Sequence, residues 1–236
     1  MNGIRERIGN AIGHVWAPAI AAISKARDAR MFHPVGLTFA ARAEALGPLG
    51  LRLEGRVLAR CSAALWKKPI EHFEVLGIAL RFRRNEGVLD EVVRDGDQDL
   101  LFATIISPFT MFASPLTTNA HDFLANTYWA VSPFALEGRR VKFRLSPTEP
   151  REGEGRRNER LRTAVRAGVA ELLLEARPTL QRGWEPVAQI TLEQELELDQ
   201  SKLRFDPFQN GAGIQPVGVI QSIRRAAYSA SQIGRR

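Results

Sequence analysis

The chain of 236 residues contains one cysteine, two tyrosines, three methionines and four histidines. A single thiol, Cys61, excludes an internal disulfide framework and suits a reducing compartment, so a cytoplasmic location is expected. The histidines, at positions 14, 33, 72 and 121, offer no pair at the close spacing of a zinc or di-iron site. His121 and Asp122 are neighbours, which do not face each other on a helix, and are read as structural. No Gly-x-Ser-x-Gly elbow occurs, so serine hydrolysis has no anchor. Gly-x-Gly-x-x-Gly and P-loop sequences are also missing, which removes the usual nucleotide readings. The apolar run at 15–23 is far shorter than the roughly 20 residues that span a bilayer. Glu6, Asn10 and His14 break up what precedes it, making it a poor signal-peptide core.

Charge is plentiful. Thirty-three Lys and Arg against 26 Asp and Glu give a net charge of +7. The cations cluster at Arg139-Arg140, Arg156-Arg157, Arg160-Leu-Arg162 and Arg224-Arg225. No zinc-finger, RNP-like or helix-turn-helix spacing accompanies them, and acids are interspersed, so a solvated surface is expected rather than a nucleic-acid partner. With 44% hydrophobic and 25% charged residues, the composition is that of a soluble protein, and a barrel with attached helices reaches this length as one unit.

Periodicity divides the chain. Ile4, Ile8, Ile12, Val15 and Trp16 recur at helical spacing, with Arg5, Arg7 and Lys25 on the other side, and Pro18 kinks or splits the element. This arm, 1–29, is expected to pack on the rest of the protein or on a second subunit. The minority reading lays it flat on a membrane surface. Beyond it the pattern is chiefly strand. Val141, Phe143 and Leu145 alternate with Arg140, Lys142 and Arg144, while Leu192, Leu196 and Leu198 alternate with Glu193, Glu195 and Glu197, as an antiparallel sheet with one wet face requires. Residues 51–59 also alternate. Helices are expected at 157–167 and 120–129, and a flexible loop at 147–155. Near the C-terminus a loop containing Pro207, Gly211, Gly213 and Pro216 leads into a helix from about Val217. On it Arg224 and Tyr228 lie one turn apart, so a guanidinium neighbours a phenol and favours its ionised form. The order of arm, many strands and final helix predicts an α+β, mainly β fold: a closed antiparallel barrel with peripheral helices.

Several of these segments resemble the catalase fold, in the same order along the chain. Arg30, His33 and Gly36 match its distal segment, Arg60-Cys61-Ser62 its next strand, and Arg224 and Tyr228 its proximal helix. Phe205-Asp206-Pro207 and Gly213-Ile214-Gln215-Pro216 match the loop before that helix. Softer matches are Leu76-Gly77-Ile78-Ala79-Leu80-Arg81-Phe82, Asp99-Leu100-Leu101 and Val141-Lys142-Phe143. The resemblance implies a catalase-type barrel over 30–236 that binds haem b, with Tyr228 ligating the iron and Arg224 stabilising the tyrosinate. His33 would move a proton between the oxygens of a peroxide, and Ser62 would hold its ring. Arg30, Arg60 and Arg235 would pair with the haem propionates, taking up part of the positive charge. Phe32 would line the distal wall. Cys61, beside the haem, would be a small hydrophobe rather than a ligand.

Two departures narrow the expected activity. The family carries an asparagine opposite the distal histidine, after an Asp-Leu-Val-Gly pattern, whereas Asp99-Leu-Leu-Phe-Ala-Thr104 has none. Phe32 replaces a smaller valine. Both disfavour hydrogen peroxide relative to organic hydroperoxides, and the apolar segment Ile105 to Phe112 with the N-terminal helix would add an apolar approach. The resemblance therefore implies a haem peroxidase or hydroperoxide-transforming enzyme, associating as a homo-oligomer. The alternatives are a non-enzymatic haem-binding or sensing protein, or a barrel that has lost haem and takes another apolar ligand.

Overall fold

The computed structural model describes residues 35–66, 70–83, 87–107, 110, 113–130, 132–149 and 154–217. The predicted N-terminal arm, Arg30, Phe32, His33 and the segment bearing Arg224, Tyr228 and Arg235 lie outside them.

Ten strands form one antiparallel sheet: β1 (Val35–Ala45), β2 (Gly55–Ala63), β3 (Leu76–Arg83), β4 (Gln98–Ala103), β5 (Tyr128–Trp129), β6 (Phe134–Leu136), β7 (Arg139–Pro147), β8 (Glu171–Pro178), β9 (Glu185–Glu195) and β10 (Gln215–Pro216). They pair in the order β10-β6-β7-β5-β4-β3-β2-β1-β9-β8, and β8 also pairs with β7. That pairing closes eight of the described strands into a barrel, with β6 and β10 appended beside β7. Closure leaves the eight-stranded wall without a free edge.

The inward face follows from the period of two. Phe39, Ala41 and Ala43 of β1, Val57, Ala59 and Cys61 of β2, and Ile78, Leu80 and Phe82 of β3 all join the central core. Leu100, Phe102, Phe143, Leu145, Leu172, Leu174, Ile190 and Leu192 belong to it as well. The alanines of β1 and β2 share this core with large side chains of the other strands, and a barrel of eight strands is of a size that side chains fill. Phe134 and Phe143 meet edge-to-face, centroids 5.4 Å apart.

Part of the outer face is buried as well. After β9 the chain folds back across β1–β4, beginning where Leu196 N donates to Thr38 O at 2.7 Å. Leu203 with Ala40, Leu58 and Leu89 makes a second apolar cluster, against which Leu196, Leu198 and Phe205 pack. Leu192 is thus inside the barrel while Leu196 and Leu198 lie outside it. The expected alternation through 198 stops at Glu195, where the strand ends and this strap begins.

The expected helix at 157–167 is α2 (Arg157–Arg166), following a single helical turn, α1 (Ser114–Thr117). The expected helix at 120–129 is not formed. A 3₁₀ turn, Phe123–Ala125, is followed directly by β5. Short polar side chains take over the local backbone groups: Asp122 Oδ1 accepts from Leu124 N at 2.8 Å, and Asn126 Nδ2 donates to Asn119 O and Asp122 O at 2.9 and 2.6 Å. The 51–59 stretch is likewise divided, between a 3₁₀ turn (Gly50–Arg52) and the start of β2.

Candidate functional site

Arg60 and Ser62 are the predicted site residues among those described. They share the outer face of β2, while Cys61 between them points into the barrel. The thiol is 1% exposed, and burial pushes its pKa up to about 12. Cys61 is therefore on the opposite side of the sheet from the two residues it separates in sequence.

The strand register sets what surrounds them. Ser62 lies opposite Gly36 on one side and Gly77 on the other, and Gly77 lies opposite Ala103. Four adjacent strands thus present Gly36, Ser62, Gly77 and Ala103 in one outward row whose largest side chain is a hydroxymethyl. The next row is Thr38, Arg60, Ala79 and Leu101. A Cβ built on Gly36 would stand 2.8 Å from Arg60 Cζ and 2.9 Å from Cys61 O, so the guanidinium lies against bare backbone there. Only glycine permits that approach.

Arg60 is 5% exposed. Its Nε donates to Gln200 Oε1 at 2.8 Å, and Gln200 Nε2 donates to Thr38 Oγ1 at 2.5 Å. The chain from strap to β1 to β2 fixes the head group of Arg60 in place. Ser62 Oγ lies 3.4 Å from Gly77 O, a long contact. Gln200 was not foreseen as a partner of Arg60: it sits in a polar turn 140 residues away, and nothing in its local sequence marks it.

Beside this region is a buried charge network that sequence reasoning also missed. Arg81 Nε and Nη2 donate to Asp99 Oδ1 and Oδ2, both at 2.8 Å. Arg83 engages Asp97 through Nε and Nη2 at 3.2 and 3.1 Å, and Asp90 at 3.2 Å. The network grips the strap: Asp206 N donates to Asp99 Oδ2 at 2.8 Å, Arg81 Nη2 to Arg204 O, and the Phe205 ring lies 5.0 Å from Arg81 Cζ. Gln98 holds the following loop, its Nε2 donating to Ile214 O at 3.2 Å. The Phe-Asp-Pro and Gly-Ile-x-Pro segments are thereby anchored to β3 and β4. The signal was legible in part, as Arg81-Phe-Arg83 and Asp97-Gln-Asp99 alternate in complementary fashion. A strand pattern with charges at every second position, however, reads as a wet face, not one covered by a strap.

The two described histidines, His72 and His121, are exposed. His121 Nδ1 is 3.4 Å from Glu71 Oε2, while Asp122 caps the 3₁₀ turn, so the two neighbours have separate structural partners. Tyr128 is fully buried, and its hydroxyl donates to Phe123 O at 2.6 Å. Desolvation raises its pKa well above the ordinary value, so it stays a neutral phenol. Among the described residues no group of three His, Cys, Asp or Glu side chains is arranged to hold a metal, and no helix is long and apolar enough to cross a membrane. No protein-family model matches the chain, and comparison with curated proteins gives no match.

Proposed function

We propose that the chain is a haem-dependent peroxidase or hydroperoxide-transforming enzyme of the catalase type. The observation that carries this reading is the row Gly36, Ser62, Gly77 and Ala103 with the Arg60 guanidinium in the adjoining row. The Arg60 guanidinium covers Gly36, and beyond it Ser62, Gly77 and Ala103 offer only small side chains to a flat ring system, with the fixed cation at its border suited to ring carboxylates. The covalent chain supplies a further constraint: His33 is three residues from Gly36 and so no more than about 11 Å from it along the backbone. The chain has two tyrosines, and the burial of Tyr128 as a neutral phenol leaves Tyr228 as the candidate tyrosinate.

Haem, if bound there, would supply an iron centre at which a peroxide O–O bond can be cleaved. Tyr228 would hold the iron through its phenolate oxygen, which Arg224 would keep ionised. Arg30, Arg60 and Arg235 would hold its propionates. His33 would take the proton from one peroxide oxygen and return it to the departing one, with Ser62 orienting its ring. Phe32 keeps the distal wall apolar. With no asparagine in 99–104, one donor to a small polar peroxide is missing, and organic hydroperoxides are the preferred substrates.

A visible spectrum of the purified protein, reconstituted with haem, tests this directly. A ferric Soret band is expected, lost or strongly altered in Tyr228→Phe. His33→Ala should retain the band and react with peroxide about a hundredfold more slowly in stopped-flow measurements. A colourless protein that takes up no haem favours a barrel with another apolar ligand. A haem protein indifferent to every peroxide favours a binding or sensing role.

A further inference from the structure

The end of the barrel opposite the Ser62 row carries apolar tips set among cations. Residues 179–184 join β8 to β9, and Leu180 in this hairpin is 98% exposed. Trp184 closes the hairpin, with Arg144 Cζ 4.5 Å and Arg177 Cζ 4.7 Å from its ring centroid. The adjacent β6–β7 hairpin turns through Glu137 and Gly138, both at positive φ (48° and 75°), which makes a tight, twist-matched reversal. Thr179 ties the two hairpins together, donating to Arg140 O from its backbone at 2.9 Å and from its hydroxyl at 3.0 Å. The β1–β2 connection reaches the same end, joined by the Arg52–Glu137 ion pair, and there Leu46 and Leu51 are 48% and 67% exposed.

Cations outnumber acids around these tips. Arg139, Arg140, Lys142 and Arg182 are exposed. Of the nearby acids, Glu175 is engaged by Arg144 at 2.6 and 2.8 Å and Glu137 by Arg52, while Glu44, Glu54 and Glu185 are exposed. We infer that this hairpin end is a docking surface for an anionic lipid bilayer. Leu180 supplies an apolar side chain that water solvates poorly, the Trp184 indole suits the interfacial zone, and the surrounding cations face anionic headgroups. A nucleic acid would use the cations and gain nothing from three exposed leucines. The inference does not depend on haem, since it concerns the far end of the strands from the Arg60–Ser62 face.

Co-sedimentation of the full-length protein with vesicles tests it, using phosphatidylcholine alone and phosphatidylcholine mixed with phosphatidylglycerol. Binding is expected to the anionic vesicles, weakened by salt and roughly tenfold weaker in both Leu180→Glu and Arg182→Glu. Both substitutions are on the surface, and unchanged circular dichroism melting would confirm the fold. Absence of vesicle binding overturns the inference. So does anionic-vesicle binding unaffected by Leu180→Glu, which would assign the contact to another segment such as 1–29. Retention on a polynucleotide without vesicle binding overturns it in favour of nucleic acid.

Discussion

Arg81 has no solvent exposure, and its charge is met from two sides, by the Asp99 carboxylate and by the Phe205 ring. One nitrogen, Nη1, has no hydrogen-bond partner among the described residues, so the network there is incompletely satisfied. Burial raises the Asp99 carboxyl from its ordinary value, while the bonds from Arg81 and the Asp206 amide act in the opposite sense. Removing one member of such a pair leaves the other buried and uncompensated. Asp99→Asn is therefore expected to destabilise the protein by about 3 kcal/mol in urea denaturation. It should also speed hydrogen exchange of the Asp206 amide, which loses its charged acceptor. The double variant Arg81→Met/Asp99→Leu should cost far less, because no orphan charge remains. A single Asp99→Asn variant as stable as wild type would show that the strap is held by its apolar contacts alone.

Among elements, α2 is fastened to the barrel by mixed contacts. Leu161 and Val165 are buried in the main core, and Arg162 makes a two-point contact with Glu195 at the end of β9, at 2.7 and 2.8 Å. The hydrogen bonds from Arg162 hold the Glu195 carboxyl below its ordinary value. A lowered folded-state pKa stabilises above the unfolded carboxyl's range and is lost as pH falls through the folded value. Both side chains are more than a third exposed, so solvent screening keeps the contribution small. Arg162→Gln should cost about 0.5 kcal/mol at neutral pH, and the difference should vanish in strong acid. Thermal melts of both proteins across that pH range would measure it. An equal deficit at every pH would mean that Arg162 acts through the packing of its stem.

At the scale of the whole molecule, the β7–β8 pairing makes the interior a sealed core, and Cys61 is a built-in probe of it. The side chain faces inward, so a reagent reaches the thiol only when the barrel opens. With its pKa pushed up to about 12, the folded thiol is also almost wholly protonated at neutral pH. Modification by a disulfide reagent is expected to be negligible in the native protein and to follow the unfolding transition in urea. The raised value adds a pH effect of defined sign. Above the unfolded thiol's pKa of 9.0 the unfolded chain releases a proton that the folded one retains, so stability falls towards pH 12. Cys61→Ala should remove that share of the alkaline loss. Rapid native-state labelling would show the barrel wall opening without global unfolding.

The period-two alternation of residues 140–145 and the helical spacing of 157–166 were sufficient to identify β7 and α2, because each is an amphipathic element whose own residues choose its inner face. Arg60 and Ser62 on one outer face, with Cys61 on the other, also follow from β2 being a strand. What local pattern did not contain was the cover. Only the tertiary structure brings Gln200 to Arg60 across 140 residues and lays Phe205 and Asp206 over Arg81 and Asp99. Burial of those charges depends on a strap far away in the chain, which no nearby residue encodes. The row of Gly36, Ser62, Gly77 and Ala103 has the same origin: the four are scattered over about 70 residues of sequence, and strand register alone makes them one surface. In 120–129 the polar side chains of Asp122 and Asn126 overrode a helical pattern, since their bonds to nearby backbone groups competed with the helix ladder.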